Sequence, residues 1–163
     1  MTILAIDPGT TRSAWVEYDP ESRCILERGI LDNPGLLVRL RVVGRYVAPP
    51  VYGVAVIEQV ASYGMAVGAE VFETVRWAGR FEEALYPTPV VLLPRMAVKM
   101  HLCGNSRAKD ANIRRALLDK FGGPSFDPKV AVGTKKAPGP LYGIHADLWS
   151  ALAIAVTFAE TRP

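Results

Sequence analysis

Residues Met1–Thr11 read MTILAIDPGTT. Ile3, Leu4, Ala5 and Ile6 form an unbroken apolar run without alternation, the pattern of a central strand buried on both faces. Asp7 ends the run, and Pro8 and Gly9 stop the strand and turn the backbone. The carboxylate is thereby delivered to the edge of a sheet and not into its interior. Taken alone, Asp7 is equally well read as a turn acid ahead of Pro8 and Gly9, so the rest of the sequence has to decide.

A second buried-type strand, Gly53 to Ile57 (GVAVI), also ends on an acid, Glu58. Between the two lie Ser13 to Tyr18 and Cys24 to Leu31, which read as strands of a meander joined by the turn-forming set Asp19 to Ser22. Asn33 is placed to cap a helix with Pro34 in its first turn; Leu36, Leu37, Leu40, Val43 and Val47 mark its apolar face and Pro49-Pro50 its end. After Glu58 the pattern predicts a loop over 59–66, then a helix carrying Val67, Val71, Val75, Ala78 and Leu85 that stops at Pro87. Val90 to Leu93 reads as another buried strand. Pro94 opens a short helix ending near Gly104, and Ser106 caps the next, whose face is Ile113, Ala116 and Leu117 and whose end is Gly122-Gly123. Residues 123–143, rich in Pro, Gly and Lys, read as an exposed, mobile loop. Leu148 to Phe158 is apolar nearly all round, which predicts a helix buried against the sheet, with Asp147 at its entrance.

Three meander strands followed by alternating helices and strands predict an α/β fold. Its sheet is mixed and five-stranded, three strands antiparallel and two parallel, with helices on its faces, as in the ribonuclease H-like arrangement. In that arrangement the first and fourth strands are neighbours, so Asp7 and Glu58 meet at their carboxyl ends and the last helix brings Asp147 to the same place. As an isolated feature Asp147 is an ordinary first-turn acid favoured by the helix dipole.

The length, 163 residues, suits one domain spanning 1–163 that buries a core without disulfide or metal staples. No basic leader precedes an apolar stretch and no run of about 18 apolar residues occurs. The expected location is cytoplasmic, with no membrane partner. Cys24 and Cys103 lack zinc-site spacing and are expected as core thiols. The net charge is only +3, but between Arg95 and Lys136 ten Lys or Arg face three acids, a local +7. A polyanion is the partner such a surface suits, although a merely solvated basic face has the same composition.

Converging carboxylates repel one another and raise their own pKa values unless a cation neutralises them. Oxygen donors with few competing His or Cys select hard ions, Mg²⁺ with Mn²⁺ as a substitute. Two such ions, roughly 3.5–4 Å apart, can hold a phosphodiester, activate water on one side and stabilise the leaving 3′ oxygen on the other.

These residues carry a resemblance. Ala5 to Gly9, Ile57 to Val60, and Asp147 with Ser150 to Ala155 resemble the three active-site blocks of RuvC-type Holliday junction resolvases. Gly64-Met65, Gly79-Arg80-Phe81 and Leu102 to Asp110 resemble the phage-encoded branch, which would place the protein in a host cell's cytoplasm. The resemblance implies a homodimeric, Mg²⁺-dependent endonuclease, two ions per site, that resolves four-way DNA junctions by paired symmetric nicks without a nucleotide cofactor. It makes Asp7, Glu58 and Asp147 metal ligands. The fourth acidic position of bacterial members is Ser150 here, and His145 or water is expected to fill the gap; alone, His145 is only a polar loop residue. Lys99 and Lys109 resemble the family's phosphate-contacting lysines, with Arg107 beside them. The aromatic that follows Glu-Gln-Val in bacterial members is Ala61 here, so Tyr63 or Met65 is the candidate wedge, or Tyr63 simply anchors its loop. Other readings are a related nuclease of branched DNA or structured RNA, a junction-binding protein without catalysis, and, from the Asp-x-Gly-Thr-Thr opening, an actin-like ATPase. The last needs a second domain and a Gly-rich adenosine site that the sequence does not offer.

Overall fold

The computed structural model describes residues 1–46 and 51–162. Its sheet has the order β3-β2-β1-β4-β5, formed by β1 (Ile3–Asp7), β2 (Arg12–Asp19), β3 (Cys24–Asp32), β4 (Val54–Gln59) and β5 (Val90–Pro94). β1 runs antiparallel to β2, and β2 antiparallel to β3. β4 runs parallel to both β1 and β5. The mixed sheet with helices on both faces is the expected architecture.

Because β1 is central, its side chains supply both faces of the sheet. Ile3 and Ala5 join Ala14, Val16, Val54 and Val56 in one core, covered by α3 (Arg95–Cys103), α4 (Asp110–Phe121) and α6 (Leu148–Thr161). Leu4 and Ile6 join Trp15, Ala55 and Ile57 in the other, covered by α1 (Asn33–Tyr46) and α2 (Ala69–Ala84). α6 is buried from Leu148 to Thr157 apart from Trp149 and Ser150, which are partly exposed. Its Ala151, Ala153 and Ala155 let the helix lie close across the sheet, and each large apolar side chain so buried contributes about 1.5–3 kcal/mol.

Several local expectations change. α4 begins at Asp110, with Lys109 and not Ser106 as the residue preceding it, because the Asn112 side chain accepts the Lys109 backbone N–H at 2.9 Å. Residues 123–143 are ordered: a 3-10 turn at Gly123–Ser125, α5 (Pro128–Val132) and a bridge between Gly133 and Pro138, anchored by buried Ala131 and Leu141. Proline and glycine there specify tight turns around two apolar anchors. Cys24 is exposed, since it opens the edge strand β3, whereas Cys103 packs against the first core. Val47 and Pro49-Pro50 lie outside the described residues.

Asn33 is the first residue of α1, and its side chain reaches back to the turn after β1. Its Nδ2 donates to the Gly9 carbonyl at 2.9 Å, its Oδ1 accepts the Ser13 hydroxyl at 2.6 Å, and Gly9 N–H donates to Ser13 Oγ at 3.1 Å. Asn33 and Ser13 are both buried. Together they fix the turn that follows Asp7. Gly9 is required there because a Cβ would meet the Arg12 carbonyl oxygen at 2.2 Å. Asn33→Ala leaves buried polar groups without partners, and chemical denaturation should show a loss of about 1–3 kcal/mol. An unchanged midpoint would remove this network from the determinants of the turn.

Candidate active site

The last pair of the β1–β4 ladder is Ile6 with Ile57. One step further stand Asp7 and Glu58, on adjacent parallel strands and both at the carboxyl edge. Both are mostly buried, though neither is fully covered. α6 lies against β1 and β2 and brings Asp147 to this edge. The Asp147 carboxylate makes no capping bond to its own helix. It is exposed, and its charge, like that of Glu58, reaches Asp7.

Their proximity is visible electrostatically. Burial, then the charge of Glu58, then that of Asp147 push the Asp7 carboxyl up to about 7, against the opposing pull of Arg95 and of a hydrogen bond from the Ser150 hydroxyl. Burial also raises Glu58, and Asp110 adds to this, while the charge and hydrogen bond of Arg95 and the charge of Lys99 oppose it. Low local polarisability and like charge disfavour ionisation in the same direction.

Arg95 is the residue the sequence reading missed. It was counted only as part of a basic segment, yet it follows Pro94, which pairs with Gln59 in the ladder, and so starts α3 beside Glu58. Its Nη1 donates to Glu58 Oε2 at 3.1 Å and its Nη2 to Asp110 Oδ1 at 2.5 Å. Asp110 is a fourth acid of the cluster, supplied by α4. It shares a cleft with Asp147 and Ser150.

The Ser150 hydroxyl lies near enough to Asp7 to oppose the rise of its carboxyl. His145 is exposed, and its Nδ1 lies 2.9 Å from the Gly143 carbonyl. Among the described residues it makes no hydrogen bond or ion pair with the acids. No three His, Cys, Asp or Glu among the described residues stand closely enough to hold one ion as arranged. The donor chemistry still fits a hard cation: two carboxyls at a sheet edge whose burial disfavours their charged forms, with a guanidinium as their internal counter-ion.

Tyr63, Arg95, Met96, Lys99 and Ser106 line a cleft of about 180 Å³ on one side of the acids. Tyr63 is exposed at a positive φ of 49° just before Gly64. Lys109 immediately precedes Asp110 and is exposed, as is Arg107, whose backbone N–H bonds Asn105 in the preceding turn. The structure therefore groups Tyr63 and Lys99 with the acids through Arg95, and Lys109 through Asp110. It records no contact between Arg107 and the cluster.

On α2 the aromatics Trp77 and Phe81 face the second core. Phe81 is fully buried in the second core and Trp77 is partly buried against it, because their shared helix face is the one that packs on the sheet. Phe72 and Val75 are the exposed apolar residues of α2.

The fold has solved counterparts. The Thermus thermophilus RuvC structure matches with a TM-score of 0.64 and 22% identity, over 98% of this chain and 93% of that one. T. thermophilus RuvC in complex with Holliday junction substrate matches with a TM-score of 0.66 and 21% identity over the same shares. Fowlpox virus resolvase in complex with substrate Holliday junction DNA matches at 0.50 and 13% identity, over 99% and 98%. No family profile and no curated protein sequence matches the chain. At these identities the likeness establishes the ribonuclease H-like fold of RuvC.

Proposed function

We propose that the protein is a divalent-cation-dependent endonuclease of the RuvC type that resolves four-way DNA junctions by paired nicks. The observation that carries this is the convergence of Asp7, Glu58 and Asp147 at one sheet edge, in the fold of RuvC, with Asp7 left short of positive charge. Asp7, Glu58 and Asp147 would hold the cation, Mg²⁺ or Mn²⁺ and two ions when complete, whose chemistry is to acidify water and stabilise the leaving 3′ oxygen. Ser150 orients Asp7, and the Asn33–Ser13 network holds the turn behind it. Lys99 and Lys109 place the DNA backbone, with Arg107 at the rim of the same surface; phosphate contacts position the substrate without reading sequence. Tyr63 is placed to stack at the branch point.

The test is incubation with a labelled mobile four-way junction, linear duplex, flap DNA and structured RNA, with Mg²⁺ and with EDTA. Symmetric nicks on the junction that vanish in EDTA are the expected result. Binding without cleavage would leave a junction-binding protein, and preferential cutting of RNA would move the substrate class.

Lys99→Ala and Lys109→Ala should each weaken junction binding and lower the slope of log affinity against log salt by about one, with the cleavage sequence preference unchanged. Unaltered slopes in both variants would place these lysines off the DNA path.

Paired nicking needs two active sites related as the two strands are, so the protein is proposed to act as a twofold dimer. Phe72 and Val75, 66% and 47% exposed on α2, sit beside the Glu58 loop and offer the apolar centre of such an interface. Phe72→Glu should sediment as a folded monomer that makes only single nicks in a supercoiled plasmid carrying a junction. Paired nicks from that monomer would exclude this surface.

A further inference from the structure

A second cleft, of about 330 Å³, is lined by Asp110, Arg114, Asp147, Trp149 and Ser150, with Ala111 and Ala146 completing its wall. The Arg114 guanidinium carbon stands 4.9 Å from the centre of the Trp149 ring. The other bases of α4 are engaged by carboxylates: Arg115 by Asp119 at 2.9 Å and Lys120 by Glu160 at 2.8 Å. Among the described residues Arg114 has no carboxylate partner. Its guanidinium lies over the Trp149 face. Ala146, next to Asp147, has a φ of 46°, a left-handed conformation that is unfavourable in a residue other than glycine. The strained position sits in the cleft wall.

From this geometry we infer that the Arg114–Trp149 cleft is a phosphodiester-binding subsite, taking a backbone phosphate of the DNA strand that passes Asp147, next to the phosphate that is cut. The inference rests on the nuclease reading above. A guanidinium stacked on indole keeps its N–H edge for hydrogen bonding while one face is covered. That edge is a planar fork of donors matched to phosphate oxygens. Trp149, itself packed on the first core, is a positioning residue: it holds Arg114 in one orientation, so less rotamer freedom is lost when the phosphate arrives. The neighbouring acids set the order of events. Asp110 is already paired with Arg95, but Asp147 repels an anion until a cation neutralises it, which couples occupancy of this subsite to cation binding.

The experiment measures affinity for a four-way junction with Ca²⁺ present, for the wild type, Arg114→Met, Arg114→Lys and Trp149→Ala. A series of junctions carries a single uncharged methylphosphonate at successive positions around the cut. Arg114→Met should lose roughly tenfold in affinity, as expected for a charged hydrogen bond, and about one unit of salt slope. Arg114→Lys should keep the slope and recover only part of the affinity. Trp149→Ala should weaken binding with the slope retained. One methylphosphonate position should weaken the wild type but leave Arg114→Met unaffected. Arg114 is exposed, and circular dichroism checks that each variant is folded. If the wild type binds no DNA, the nuclease reading itself fails. If the wild type binds and cuts the junction but Arg114→Met keeps its affinity, slope and methylphosphonate sensitivity, this subsite is wrong and the nuclease reading stands.

Discussion

Asp7→Asn is expected to lower junction cleavage by roughly 10³-fold while junction binding stays the same or tightens. The amide keeps the shape but cannot hold a cation, and charge stabilisation at such centres is worth several kcal/mol, each 1.4 kcal/mol being about tenfold in rate. Removing one negative charge also lessens repulsion of the phosphates. The same substitution has a thermodynamic signature. Asp7 stays protonated in the folded protein up to about pH 7, against an ordinary value of 3.8. Between those values the unfolded chain binds fewer protons than the folded one, so the Asp7 contribution makes stability fall as pH rises through that window and then level off. In EDTA the variant should therefore melt above the wild type at pH 7.5, and the difference should close toward pH 4. Mn²⁺ should raise the melting temperature of the wild type more than that of the variant. Near-normal cleavage by Asp7→Asn, or a difference independent of pH, would remove Asp7 from the centre of the site.

What was legible in the sequence was whatever depends on nearest neighbours along the chain. The uniform apolar runs at Ile3–Ile6 and Val54–Ile57 matched strands covered on both faces, although the similar run Val90–Leu93 forms the partly exposed edge strand β5. The apolar α6 likewise announced its burial and the placing of Asp147. Arg95, Asp110 and the Arg114–Trp149 pair were not legible, because their roles depend on which element ends meet in space. Arg95 matters since β5 lies beside β4, and Asp110 because α4 starts three residues later than a cap at Ser106 predicts. The inward packing of Trp77 and Phe81 was not legible for a related reason. Aromatics on an amphipathic helix serve a core or an interface equally well until the sheet-facing side is known.

Arg95→Ala should produce the second large effect, on stability and on cation binding together. Removing one partner of a buried ion pair costs about 3–5 kcal/mol. Here the Arg95 side chain is 31% exposed and Glu58 13%, so water screens part of the loss and ~2–3 kcal/mol is expected in EDTA. That corresponds to a drop in melting temperature on the order of 5–10 °C. The loss should shrink when Mn²⁺ is added, because a divalent ion neutralises the carboxylates that the guanidinium served. For the same reason Mn²⁺, titrated calorimetrically without DNA, should bind several-fold more tightly to Arg95→Ala than to the wild type, since no internal cation competes for Glu58. Arg95→Lys should fall between the two. A lysine carries the charge but not the planar fork that reaches Glu58 and Asp110 at once. An equal loss of stability with and without Mn²⁺, together with an unchanged Mn²⁺ affinity, would show that Arg95 is only a strut between β4 and α4. A gain in Mn²⁺ affinity would identify it as the counter-ion that holds the acids together until a divalent ion takes its place.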